Sequence, residues 1–131
     1  MIAIRRAVID ALIRHAREAL PNECCGLLIG TGERIDEAVP ARNLKESPTA
    51  YLVDPERHFE VLRRTRREGT SIVGAYHSHT RSAAVPSPRD LGESHDPDLV
   101  HVIVSLEREP ADVRAYYLTA GAWREVVLMA M

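Results

Sequence analysis

The chain has little cysteine: two residues in 131, Cys24 and Cys25, side by side. Neighbours on a strand point to opposite faces, so a disulfide between them would be strained. No C-x-x-C pair exists, which excludes a cysteine-rich zinc site. The two thiols read as small buried hydrophobes in a reduced compartment. An excess of charge is also missing. The formal net charge is −2, so no global pull toward nucleic acid or anionic membrane is expected. Long apolar runs are absent. The longest near the start is a few residues, too short for a secretory signal or a membrane span, and a cytoplasmic location is expected. Gly26, Gly30 and Gly32 lack a following Lys-Ser/Thr, so there is no phosphate-cradling loop. The H-x-E and P-C-x-x-C of nucleoside deaminases are absent too. There is no internal repeat and no low-complexity segment.

What is present is ordinary for a globular protein: 45% hydrophobic and 27% charged residues, enough for one domain over residues 1–131. Val8, Ile9, Leu12, Ile13, Ala16 and Leu20 recur at helical spacing, and Pro21 ends that helix. Residues 24–29 form a short apolar run bounded by glycines, which suits a buried strand. Residues 35–41 read as the returning strand, broken by Pro40, and residues 43–49 as a polar loop. Tyr51-Leu52-Val53 reads as a short strand. Asp54 then caps a helix that starts at Pro55 and stops at Gly69. Residues 71–79 form the next strand, and a short helix begins at Pro88 and fades before Pro97. Residues 99–106, 113–118 and 123–128 are three further strands. The expected class is α+β, with helices flanking a curved mixed sheet.

The chemistry concentrates at His77-Ser78-His79, followed by Ser87 and Asp90. On a strand, His77 and His79 project to one face and can share one ion. Asp90, carried back by the loop of residues 80–86, is the best third ligand. Three protein ligands with an open fourth position are the pattern of a catalytic metal site, one ion per chain. Ser87-Pro88-Arg89-Asp90 is also a good helix start in its own right. A serine hydroxyl can cap and still donate a hydrogen bond, so the two roles are compatible. His95 and His101 are competing ligands for a three-histidine site. His101 lies in an apolar strand and reads better as a core or interface residue, and His15 and His58 fall on helices and read as surface residues. Arg63, Arg64, Arg66 and Arg67 form a basic cluster diluted by Glu56, Glu60 and Glu68. That is the pattern of a solvated helix face, or of a surface that meets an acidic protein partner.

H-S-H, seven residues, S, two residues, D resembles the signature of the JAMM (MPN+) metalloproteases, with no departure in spacing. The segment Pro21-Asn22-Glu23-Cys24-Cys25-Gly26-Leu27-Leu28 is similar to the upstream glutamate segment of small bacterial members. The Tyr51 to Pro55 stretch before a helix also fits, so the likeness covers most of the chain. The resemblance implies a JAMM fold, related in outline to cytidine deaminases. It implies zinc on His77, His79 and Asp90, with Glu23 as general base and then general acid, and Ser87 as a stabiliser of the oxyanion. It implies cleavage of a peptide or isopeptide bond after the C-terminal Gly-Gly of a ubiquitin-like protein, a sulfur carrier in small bacterial members. Without the metal motif, Glu23 reads as a surface acid at a helix–strand junction.

Two other functions stay open on the residues alone: a zinc amidohydrolase of small molecules, and a non-catalytic MPN binding module. At this length there is little room for insertions that grip linkage-specific polyubiquitin. A Gly-Gly tail could still lie in a groove by adding to a sheet edge. The sequence leaves room for a homodimer without fixing the oligomeric state.

Overall fold

The structure is a computed structural model and describes residues 1–93 and 96–131. In chain order the elements are β1 (Ile2–Ile4), α1 (Arg6–Ala19), β2 (Cys25–Thr31), β3 (Arg34–Ala41), α2 (Pro55–Glu68), β4 (Ser71–His79), α3 (Pro88–Glu93), β5 (Val100–Ser105), β6 (Asp112–Thr119), β7 (Ala122–Val126) and β8 (Leu128–Ala130). Among the described residues the strands form one sheet, in the order β7-β6-β5-β4-β2-β3-β1-β8. It is mixed. β4 and β5 run parallel, as do β1 and its two neighbours, while β2 runs antiparallel to both β3 and β4.

The curl of this sheet follows from its last strands. β7 and β8 stand at opposite ends of the strand order, yet only Val127 separates them in the chain. The sheet must therefore bend round until its two ends meet at that residue. The Ile2 N–H donates to the Val127 carbonyl at 2.8 Å, sewing the corner. Inside the curl lies α1, whose buried Val8, Leu12 and Ala16 pack with Ile4, Leu28, Tyr76, Val102 and Val104. On the other face, Val61 of α2 packs with Leu27, Ile29 and Val39. A third cluster joins Ala84, Ile103 and Tyr116 to Trp123.

Local chemistry sets the ends of α2. The Asp54 side chain accepts the Glu56 N–H at 3.0 Å, Pro55 occupies the first turn, and Gly69 takes the left-handed conformation at φ 72°. Gly26 is required by close approach. A Cβ there would lie 2.5 Å from the Tyr76 ring and from the Val39 carbonyl oxygen, so β2 could not sit this near both neighbours with a larger residue.

The expected class holds: a mixed curved sheet flanked by helices. Three details differ. β1 and β8 are strands of three residues each, too short to show a period, and the segment of residues 123–128 divides at Val127 between two pairings. Residues 51–53 form no strand beyond a single bridge of Val53 to Asn43. Pro40 does not break β3. β1 covers β3 only at Arg34 and Ile35, so Pro40 lies where no further strand needs an N–H, and its carbonyl accepts from Arg57 Nε at 3.2 Å.

Candidate metal centre and active site

The strand period decides which way the histidines point. On β4, Tyr76 faces the α1 side, and Ala75 packs with the cluster under α2. His77 and His79, two and four residues beyond Ala75, therefore share the α2 side. Both are buried. Between them, Ser78 turns to the opposite face, where its Oγ accepts the Cys24 N–H at 2.8 Å. Its own N–H donates to the Cys24 carbonyl at 3.1 Å. The small residue of the H-S-H motif thus ties β2 to β4.

Asp90 reaches the two imidazoles from α3. His77 Nε2 lies 3.2 Å from Asp90 Oδ1, His79 Nε2 lies 3.1 Å from Asp90 Oδ2, and the two Nε2 atoms are 3.3 Å apart. His79 Nδ1 lies 2.8 Å from the Ala83 carbonyl. A carbonyl only accepts, so Nδ1 carries a proton, and a neutral His79 turns its Nε2 lone pair inward. Potential ligand atoms from three side chains then converge on one point, an arrangement that suits a cation. These three residues form a group that fits a metal site.

Two further contacts hold these side chains in place. Tyr51 stacks on His77 with ring centroids 4.3 Å apart and planes 15° apart. Asp90 and Ser87 bond reciprocally: the Asp90 N–H donates to Ser87 Oγ at 3.2 Å, and the Ser87 N–H donates to Asp90 Oδ2 at 2.8 Å. Without a metal, these contacts set the protonation of the site. Burial would raise the Asp90 pKa, but the hydrogen bonds from His77 and His79 hold it well below the usual carboxylate range. Burial lowers the His77 pKa. It acts the same way on His79, where the Asp90 and Ala83 hydrogen bonds outweigh it and leave that pKa raised.

Glu23 stands just before β2, and β2 lies beside β4 with Cys25 opposite His77. Glu23 is thereby brought to the end of the strand that bears the histidines. Its side chain is buried, and Oε1 has no hydrogen-bond partner among the described residues. Burial pushes its pKa up to about 7, with His79 lowering it and Asp90 raising it. An orphaned buried carboxylate oxygen costs about 1–3 kcal/mol or more unless something supplies a proton to it. This is the second feature that fits a metal-dependent hydrolytic site. Glu23, His79 and Ser87 together line a cleft of about 710 Å³, with Leu20, Pro21 and Pro48 as its apolar wall.

His101 is buried on β5 and stands edge-on to Trp123 at 5.1 Å. It is not part of the converging group, in keeping with a core residue. The His95 alternative lies outside the described residues. His15 is not simply at the surface: half-buried, it meets the Tyr76 hydroxyl through Nδ1 at 2.8 Å. The basic cluster of α2 is partly neutralised, with Arg64 paired to Glu37 and Glu68. Cys24 and Cys25 are buried free thiols whose pKa values burial pushes up to about 11 and about 12. Among the described residues no helix is long and apolar enough to cross a membrane. Sequence reasoning missed the Tyr51 stack and the Ser78 tie. Neither leaves a periodic signal, because both depend on which loop or strand lies opposite.

Residues 5–119 match the family described as prokaryotic homologues of the JAB domain. The chain is 34% identical to the CysO-cysteine peptidase of Mycobacterium tuberculosis over 129 residues, covering 95% of this chain and 88% of that protein. It is 33% identical over 132 aligned residues to a probable TtuB-protein conjugate cleaving protease of Thermus thermophilus, covering 100% of this chain and 84% of that one. The structure superposes on that of a Desulfitobacterium hafniense protein with a TM-score of 0.92 at 29% identity, covering 100% of this chain and 93% of that chain. A JAB1/MPN domain protein of Archaeoglobus fulgidus shares the fold with a TM-score of 0.66 at 22% identity, covering 100% and 97% of the two chains. With an unbroken H-S-H, Ser, Asp set and an upstream glutamate at one cleft, the chain belongs to the prokaryotic JAB-domain branch of the JAMM metalloprotease family.

Proposed function

We propose that this chain is a zinc-dependent peptidase that hydrolyses the amide bond after the C-terminal Gly-Gly of a ubiquitin-like sulfur-carrier protein. The observation that carries this reading is the pairing of the converging His77, His79 and Asp90 with a separate buried carboxylate, Glu23, whose Oε1 is unsatisfied. The printed names of the two relatives, a CysO-cysteine peptidase and a TtuB-protein conjugate cleaving protease, support a carrier-type substrate. Residues 1–131 are read as one catalytic domain. The cytoplasm suits two free thiols.

His77, His79 and Asp90 would hold the zinc. Bound there, zinc supplies a Lewis acid that polarises a carbonyl and lets water ionise near pH 7. The remaining work falls to the chain. Glu23 Oε1 accepts the proton of the attacking water as that water adds to the carbonyl carbon. The same carboxyl then delivers the proton to the departing amine as the C–N bond breaks. In the metal-free chain burial pushes the Glu23 pKa up to about 7, the direction that favours holding the proton between the two steps. Ser87 Oγ accepts the Asp90 N–H through a lone pair, so its proton is free to stabilise the oxyanion. The apolar cleft wall of Leu20, Pro21 and Pro48 suits a side-chain-free Gly-Gly tail in extended form.

The test uses a sulfur-carrier protein whose Gly-Gly end is extended by one cysteine, and a second carrier joined through Gly-Gly to a lysine. Intact mass spectrometry with zinc-loaded protein should show a carrier ending at Gly-Gly from at least one of them. Cleavage of neither, under conditions where zinc is bound, would overturn the reading.

A further inference from the structure

We infer that Asn43 is a positioning residue for Glu23. It fastens the Glu23 backbone to the loop of residues 43–54, which also carries the Tyr51 ring stacked on His77. The inference rests on the reading of Glu23 as the proton carrier. The β2–β4 pairing does not hold residue 23 itself. The last tie on that side is at Cys24, which exchanges hydrogen bonds with Ser78. Nor is the carboxylate anchored at Oε1, which makes no hydrogen bond among the described residues. Among the described residues, the hydrogen bonds that place Glu23 come from its main chain, and both of its main-chain groups bond to the one loop. The Glu23 N–H donates to the Ser47 carbonyl at 2.9 Å, and its carbonyl accepts from Asn43 Nδ2 at 3.1 Å.

Asn43 is the hub of that loop. Its Nδ2 also donates to the Ala50 carbonyl at 3.0 Å, and its Oδ1 accepts the N–H groups of Lys45 and Leu52, each at 3.0 Å. All four hydrogen-bonding positions of the amide are used. Reversing the amide would set an NH2 against two N–H groups, so its orientation is settled by its partners. The loop is in turn fixed to the centre. Tyr51 stacks on His77, and Thr80, next to His79, donates through Oγ1 to the Pro48 carbonyl at 3.2 Å. One side chain thus joins the proton-carrying residue to a segment registered against the metal-binding strand.

Asn43→Asp separates the roles. Aspartate keeps two acceptors for Lys45 and Leu52 and loses both donors, so the two Oδ1 ties within the loop persist while the links to Glu23 and to the Ala50 carbonyl are cut. In the zinc-loaded protein, with a synthetic peptide carrying Gly-Gly-Cys as probe, kcat should fall on the order of 10–10²-fold, the scale of a sub-ångström to ångström misplacement. KM should hold, and so should zinc affinity measured by chelator competition. The double variant Glu23→Gln/Asn43→Asp should be no slower than Glu23→Gln alone, because Asn43 acts through Glu23. An unchanged kcat in Asn43→Asp, or a loss that adds to that of Glu23→Gln, would overturn the inference. Amide hydrogen exchange gives a check that needs no variant. In the wild-type chain the Glu23 and Leu52 amides should open with a common free energy, since one loop holds both. Rapid exchange at Glu23 beside a protected Leu52 would also overturn it. A wild-type protein that leaves every Gly-Gly substrate intact would sink the proposed activity instead, and the exchange measurement would still decide whether the loop of residues 43–54 holds Glu23.

Discussion

At the scale of single residues, Glu23 and Ser87 carry separable predictions. Under the proposed mechanism, Glu23→Gln removes the proton carrier and no ligand. It should keep its zinc and lose about 10²–10⁴-fold in turnover, read from kcat beside metal content. Glu23 also sets a pH dependence in the metal-free protein. Burial favours the protonated carboxyl, so the folded chain keeps this proton up to about pH 7, while the unfolded chain releases it near 4.5. The contribution is complete below 4.5 and is lost as pH rises through about 7. Denaturant midpoints below and above this window should therefore fall further in wild type than in Glu23→Gln. Equal falls would assign the burial effect elsewhere. Ser87 holds the Asp90 N–H, so Ser87→Ala should cost about 0.5–2 kcal/mol as a lost cap. If its hydroxyl also serves the oxyanion, turnover should drop on the order of 10²–10³-fold. Ser87→Asp still caps but cannot donate when ionised; a stable, nearly inactive protein is expected, with zinc content measured alongside.

At the scale of elements, the register of β2 against β4 brings Glu23 to the histidines. Ser78 maintains it from the buried side. Ser78→Ala would strand the buried Cys24 N–H, now satisfied by Ser78 Oγ at 2.8 Å. A loss of about 1–3 kcal/mol is expected in denaturant unfolding, the cost of an unsatisfied buried donor. A loss well below that range would mean another acceptor reaches Cys24. Gly26 guards the same register by permitting close approach to Tyr76 and Val39. Gly26→Ala should cost about 1–3 kcal/mol by overpacking and lower turnover as well, since the shift it forces moves the strand that leads out of Glu23. The element boundaries most legible in the sequence were those with chemical punctuation. Asp54-Pro55 and Gly69 bound α2, and Ser71 to His79 is β4 as expected. β1 and β8 were not legible, because three residues give no period and their pairing partners lie far away in the chain.

At the scale of the whole molecule, the segment that closes the sheet and the metal site are both long-range constructions. Purified protein is expected to hold about one zinc per chain by elemental analysis, matching a three-ligand site with one open position. His77→Ala or Asp90→Ala should strip most of it; full retention in both would place the ion elsewhere. Zinc should also stabilise the fold by mass action, about 4 kcal/mol at a thousandfold excess over its dissociation constant. That gain, read as a shift in unfolding midpoint, should vanish in His77→Ala.

The sequence by itself determined much of the element order and the shared face of the two motif histidines. The spacing of His77 and His79 on a strand places two imidazoles on one face whatever surrounds them, and Ser87-Pro88 starts a helix by local chemistry alone. Those are short-range consequences of backbone geometry. Only the tertiary structure decided that Glu23 lies next to them, that Tyr51 stacks on His77, and that Asn43 binds the loop to Glu23. It also decided that His15 turns inward to Tyr76 rather than out to solvent. Each of these depends on the register of β2 with β4, the seating of α1 inside the curl, or the path of a loop without regular structure. Such contacts join residues far apart in sequence, and no local pattern encodes which partner will be opposite.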